Sequence, residues 1–149
     1  MPDDPQPPFA LRTLVSWQAG RVATIGARLT GMRMPLEARS DFAVLSALQE
    51  YGPLSQADIG RVLGLDRNNV NGIVVRLEAD ESVRRSPDPA DRRRNIVTVT
   101  TNGAERLAAL QEQANAVQDE LLAALSLTDR DTLVRLLGEV LASHPAQPS

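Results

Sequence analysis

Apolar positions recur along this chain with two different periods, and the change of period marks out its layout. From Phe9 to about Leu29, the residues Leu11, Leu14, Val15, Val22, Ile25 and Leu29 fall at helical spacing on one face, which predicts a single helix interrupted by Gly20 and Gly26. After Pro35, "EARSDFAVLSALQEYG" predicts a second helix with Phe42, Val44, Leu45 and Leu48 inward and Gly52-Pro53 as its stop. "LSQADIGRVLGL" predicts a short third helix, capped by Ser55, burying Ile59, Val62 and Leu63 and turning at Gly64. Asp66 then caps a fourth, "RNNVNGIVVRLEAD", whose stripe is Val70, Ile73, Val74 and Leu77. Two short helices joined by a glycine-bearing turn make a helix-turn-helix.

The period then drops to two. "SVRRS" and "NIVTVT" predict paired strands, with Ile96, Thr98 and Thr100 alternating against Val97 and Val99, and residues 87–94 as the loop between them. A helix of about 23 residues is expected from Asn102-Gly103, with Leu107, Leu110, Ala114, Val117, Leu121 and Leu125 as its stripe. A last helix is expected to open at Thr128, with Asp131 at the capping-box position. Its face of Leu133, Leu136, Leu137, Val140 and Leu141 is too apolar for water, so terminal helices of two chains are expected to pack together. The fold class is mainly α with a small β-wing. Four prolines in residues 1–8 and two more from Pro145 onward predict disordered arms over 1–8 and 143–149, leaving one domain over 9–142.

Composition narrows the chemistry. The 149 residues suit one self-sufficient domain. There is no cysteine and one histidine, His144, in the proline-rich tail, which excludes thiolate chemistry, cysteine redox sensing and a Cys/His zinc site. No Gly-rich phosphate loop follows a strand and no nucleophile has a histidine beside it, so neither catalytic residues nor a cofactor or metal are expected. No apolar run approaches the roughly 20 residues of a membrane span, and "MPDDPQPPF" is unlike a signal peptide; a cytoplasmic protein, nucleoid-associated through DNA, is expected.

All 16 basic residues are arginine and the net charge is −3, but the positive charge is local. Residues 102–149 carry 3 Arg against 7 acids, whereas the stretch 84–94 alone carries 5 Arg and 2 Asp. That stretch is the tip of the hairpin.

A helix-turn-helix followed by a hairpin is a winged helix, and its second helix has the diameter to enter a DNA major groove. With the apolar stripe inward, Arg67, Asn68, Asn69, Asn71 and, further along, Val75 and Arg76 face outward. Asn can bond adenine bidentately and Arg guanine, while three asparagines in four residues are costly for a helix unless they cap its start or read bases. Gly72 would let a groove wall approach or relieve crowding. At the hairpin, an arginine can enter a narrow, A·T-rich minor groove, and Asp88 and Asp91 can orient neighbouring arginines by charge-assisted bonds. Arg84, Arg85, Arg92 and Arg94 are the candidate phosphate contacts. The bland alternatives are a solvated charge run or a winged helix that binds protein. The latter would favour exposed aromatics, of which the chain has four in all.

These segments, "DFAVLSALQEYGPLSQADIGRVLGLD", "NNVNGIVVRLE" and above all "DPADRRRNIVTVTTNG", resemble the MarR family of bacterial transcriptional regulators over residues 9–142. The resemblance implies a homodimer of winged helices (36–101) whose body is built from 9–34 and 102–142, with Leu11, Leu14, Val15, Leu133, Leu136, Leu137 and Val140 at the dimer interface. It implies binding to a pseudo-palindromic double-stranded DNA operator, usually as a repressor, with half-sites about 34 to 36 Å apart. It carries over Asp91 as the orienting acid of the wing and Arg93 as its minor-groove arginine. It also implies release by a small aromatic or phenolic ligand between dimer body and DNA-binding lobe, for which Trp17, Arg21 and Met34 are the candidate pocket residues. Two departures stand out. Glu81-Ser82 occupies the place of the usual Gly-Leu after the recognition helix, so either a non-glycine residue is left-handed there or the turn differs. An asparagine-rich helix start replaces the common Ser-Thr pair, which suggests an altered operator preference.

Overall fold

Capping chemistry sets most of the element boundaries. The computed structural model describes residues 6–145; of the expected arms, 1–5 and 146–149 lie outside the described residues. The elements are α1 (Phe9–Arg12), α2 (Val15–Arg33), α3 (Leu36–Tyr51), β1 (Leu54–Ser55), α4 (Gln56–Leu63), α5 (Arg67–Ala79), β2 (Val83–Pro87), β3 (Asn95–Val99), α6 (Thr101–Leu121) and α7 (Leu127–Ala142). Ser55 caps α4 through a reciprocal box with Asp58, and Asp66 caps α5 by accepting from the Asn69 N–H. Gly64, at φ 65°, makes the left-handed turn between them that a side chain would strain.

The winged lobe closes over its own core. Val44, Leu45 and Leu48 of α3, Ile59 of α4 and Val70, Ile73, Val74 and Leu77 of α5 pack with Val83, Val97 and Leu107 from β2, β3 and α6. The antiparallel sheet runs β1-β3-β2, with Val83 opposite Val99 and Leu54 opposite Val97. Of the expected α4 core, Ile59 is buried, but Val62 is exposed and Leu63 only partly buried: α4 packs on the core through Ile59, with Leu63 at the margin.

Where α5 ends, Glu81 takes φ 62°. The Ser82 N–H donates to the Leu77 carbonyl (2.8 Å) and the Glu81 N–H to the Glu78 carbonyl (3.0 Å), the paired bonds of a Schellman turn. Glutamate thus sits where glycine is the unstrained choice, so the substitution changes strain and keeps the turn. The next contact explains Thr-Thr-Asn-Gly: the Thr100 N–H donates to the Ser82 carbonyl (3.0 Å), its hydroxyl donates to the Glu81 carbonyl (2.6 Å), and a Cβ on Gly103 would stand 2.0 Å from the Ser82 oxygen. Only glycine lets α6 begin this close to the turn.

Three boundaries differ from the sequence reading. The first helix is broken at Thr13 and Leu14, where Leu14 is extended and the Thr13 hydroxyl donates to the Phe9 carbonyl, closing α1 with a side-chain bond. A Cβ at Gly20 would meet nothing and one at Gly26 would touch only Leu121 at 3.6 Å, so packing does not demand either glycine. The helix expected from Asn102-Gly103 starts at Thr101, capped by Thr100, and ends at Leu121, leaving Leu125 in the following turn. The last helix opens after Ser126, which accepts from the Asp129 N–H; Ser126 and Asp129 outcompete the overlapping Thr128 and Asp131 signal.

The ends of the chain are built differently from the lobe. In α7 no residue is buried, and Val134, Leu136, Leu137, Val140 and Leu141 stand exposed together with Phe9, Leu11, Leu14 and Val15. Leu133 is half-buried.

Candidate nucleic-acid interface

The outward side of α5 separates into anchored and free residues. Asn69 turns back on its cap, its amide donating to the Asp66 carboxylate. Asn71 accepts from Gln56 of α4 at 3.4 Å. Arg67 and Asn68 are exposed, and no protein hydrogen bond to either side chain occurs among the described residues. Arg76 was expected outward but points the other way: its guanidinium bonds the Asp41 carboxylate of α3 and reaches the Glu37 carbonyl at 3.4 Å. Arg106 of α6 binds the other oxygen of Asp41 at 2.6 Å. Asp41 is 1% exposed, so α3, α5 and α6 share one buried carboxylate held between two arginines. The sequence reading missed this cluster because its members lie 35 and 65 residues apart.

The wing sorts its five arginines the same way. The Asp91 carboxylate accepts from the Arg93 N–H (3.1 Å) and from Arg93 Nε (3.2 Å), so the acid in the basic loop orients Arg93 while leaving its side chain 90% exposed. Asp88 stiffens the loop: its carboxylate accepts from the Ala90 N–H at 2.8 Å and its own N–H donates to the Arg94 carbonyl at 2.8 Å. Arg92 and Arg84 are exposed and take part in no ion pair among the described residues. Arg85 instead grips Glu78 of α5 through Nε (3.2 Å) and Nη2 (2.8 Å). That bond holds the Glu78 carboxyl below its ordinary range and raises the guanidinium pKa. Arg94 reaches across to α4, donating to Ser55 Oγ at 2.8 Å and lying 3.7 Å from Asp58. Asp58 titrates below its ordinary value chiefly because the Ser55 hydroxyl donates to it, with Arg61 and Arg94 adding favourable charge.

Those anchors make one surface. Arg94 fastens the wing root to the start of α4, and Gln56 fastens the start of α4 to Asn71 on α5. The wing, α4 and α5 are therefore linked by side-chain contacts as well as by the shared core. Electropositive charge lies exposed where nothing in the fold consumes it.

A second feature is a groove of about 200 Å³ between the end of α2, the start of α3 and the middle of α6. Thr30, Met34, Phe42, Ala114, Val117 and Gln118 line it, with Arg39 at its edge. Arg39 donates to the Met34 carbonyl at 3.4 Å and meets no carboxylate among the described residues. Of the three pocket candidates only Met34 is here; Trp17 and Arg21 lie further back on α2, with the guanidinium 5.8 Å from the indole centroid, and do not line the groove.

Comparison with known proteins places this arrangement. The sequence model described as "MarR family" matches residues 38–94, from α3 through the wing. The HTH-type transcriptional repressor NicR of Pseudomonas putida is 37% identical over 102 residues, covering 68% of this chain and 65% of NicR, so the match spans somewhat less than two thirds of that relative. Among solved structures, BpsR of Bordetella bronchiseptica, whose DNA binding is regulated by 6-hydroxynicotinic acid, superposes with a TM-score of 0.71 at 26% identity over 85% of this chain and 97% of its own. PcaV of Streptomyces coelicolor, solved with its natural ligand, gives 0.72 at 25% identity over 91% and 96%. With its helix-turn-helix, its anchored wing and the Asp-Arg-Arg to Gly103 motif in place, the chain belongs to the MarR family of winged-helix transcriptional regulators.

Proposed function

We propose that the chain works as a homodimeric, sequence-specific DNA-binding repressor on a pseudo-palindromic operator, released by a small hydroxylated aromatic acid. The observation that carries the DNA reading is the set of exposed arginines, Arg67 at the start of α5 and Arg92 and Arg93 at the wing tip, with the wing root joined to α4 by the Arg94–Ser55 bond. Arg93 enters the minor groove while α5 lies in the adjacent major groove. Dimerisation follows from the apolar surface of α1, the start of α2 and α7, which supports a two-chain body. Repression is supported by the likeness to NicR.

The ligand part rests on the groove. An apolar slot with one guanidinium at its edge suits a flat acid, the ring against Met34, Phe42 and Val117 and the carboxylate on Arg39. Thr30 and Gln118 supply partners for a ring hydroxyl or nitrogen. The groove joins α2 and α6 to α3, so a bound ring would bias how the lobe sits on the dimer body. The test is anisotropy of a labelled duplex from the chain's own upstream region, with 6-hydroxynicotinic acid as the probe. Release by the acid in wild type, with Arg39→Ala binding DNA normally but no longer responding, supports the whole reading. Failure to prefer this duplex over a scrambled one, followed by a random-sequence selection that enriches nothing, removes the regulator. Specific binding indifferent to aromatic acids removes only the ligand.

A further inference from the structure

Gly72 is unexplained by the fold. It lies in the interior of α5, where glycine costs about 1 kcal/mol relative to alanine. A Cβ there would meet nothing within 4 Å among the described residues, so none of them needs the space. The residues around it fix which way that space opens. Asn68, Asn71, Gly72, Val75 and Ala79 follow helical spacing opposite the stripe of Val70, Ile73, Val74 and Leu77, and all five are exposed. Gly72 is therefore a notch in the middle of the outward face, bordered one turn earlier by Asn68 and one turn later by Val75.

The chemistry of the two walls differs. Asn68 offers an amide that no protein group occupies among the described residues, unlike Asn69 and Asn71, which are held by Asp66 and Gln56. Val75 presents an apolar side chain to solvent in a helix whose other large apolar residues are buried. An amide with both a donor and an acceptor free matches the N7 and N6 edge of adenine. An apolar wall beside an empty notch matches the one apolar group in the major groove, the 5-methyl of thymine.

We propose that Asn68, Gly72 and Val75 set the sequence specificity of this protein, Asn68 bonding an adenine and the Gly72 notch, walled by Val75, seating the methyl group of a neighbouring thymine in each half-site. This rests on the reading of α5 as the helix that enters the major groove. Gly72 is retained at a cost to helix stability because a methyl on the protein would displace the methyl on the DNA.

The experiment begins with random-sequence selection by the wild-type protein, followed by replacement of each thymine of the selected half-site by deoxyuridine, which removes only the methyl group. One thymine per half-site should matter, its loss weakening wild-type binding about fourfold, or about fifteenfold when both half-sites are replaced. Val75→Ala should bind the thymine and deoxyuridine duplexes alike. Asn68→Ala should relax the preference for adenine at the adjacent position. Gly72→Ala should raise the melting temperature by about 3 °C while lowering operator affinity, opposite signs that separate lost recognition from lost folding. Specific binding in which every deoxyuridine replacement is neutral, or in which Gly72→Ala weakens all sequences equally, overturns the inference and leaves the regulator standing. A selection that enriches no sequence overturns both.

Discussion

The winged lobe and the terminal helices are made from similar apolar residues and end up in opposite condition. In the lobe, Val44, Leu45, Ile59, Val70, Val74, Leu77 and Val97 are fully shielded by residues of the same chain. In α7, with a comparable run of Leu and Val, Leu137 is 43% exposed and Leu141 71%. The lobe is complete in one copy, whereas α7 leaves its apolar face uncovered. In the proposed dimer that face is closed by a second copy, so affinity for a two-fold operator would depend on surfaces that never touch DNA.

The sharpest way to break that contrast is a charge on the incomplete side. Leu137→Asp should give monomers by analytical ultracentrifugation and cost at least about a hundredfold in operator affinity through lost avidity, with the helical circular dichroism largely kept. A dimer surviving that change would mean the exposed face of α7 is not the seam. On the complete side, Asp41→Asn should destabilise the lobe by about 2 to 3 kcal/mol in urea unfolding, since it strips the carboxylate shared by Arg76 and Arg106. Denaturation unchanged within about 0.5 kcal/mol would mean that the shared carboxylate adds no net stability.

A smaller effect of opposite sign belongs to the turn between α5 and β2. Glu81→Gly should stabilise the protein by about 1 kcal/mol, because the left-handed residue then costs no Cβ clash. The smallest effect concerns acid. Asp58 has its pKa depressed in the folded state, so its stabilisation is full above its ordinary value of 3.8 and is lost as pH falls through the lower folded value. Wild type should thus lose stability more steeply than Ser55→Ala in unfolding titrations below about pH 4, and parallel curves would contradict the Ser55 origin of the shift.

What the sequence disclosed was local. Caps at Ser55 and Asp66, the α5 stripe and the alternation through "NIVTVT" are written within a few residues of one another, and each element formed where its own residues asked for it. The break at Thr13-Leu14 was hidden because the apolar spacing runs straight through it and only one threonine bond marks the stop. Two-residue β1 has no pattern of its own and exists only because Leu54 meets Val97. The site was legible by kind and not by partner: composition placed arginines at the wing and the family motif singled out Arg93, but nothing local sent Arg94 to Ser55 or turned Arg76 toward an aspartate on another helix. The groove beside Met34 was hidden for the same reason, since Arg39 and Phe42 meet Ala114 and Val117 only once α3 and α6 pack.

Arg93 is oriented by Asp91 and bonds no other side chain among the described residues. Anisotropy titrations of wild type and Arg93→Ala against a selected operator and a scrambled duplex, at several salt concentrations, measure its role. Wild type should bind the operator tightly and with steep salt dependence, while the variant loses about tenfold in affinity and about two from the log–log salt slope, one for each wing of the dimer. If the two proteins bind both duplexes alike, with the same slope, the wing does not engage DNA and the central claim is wrong.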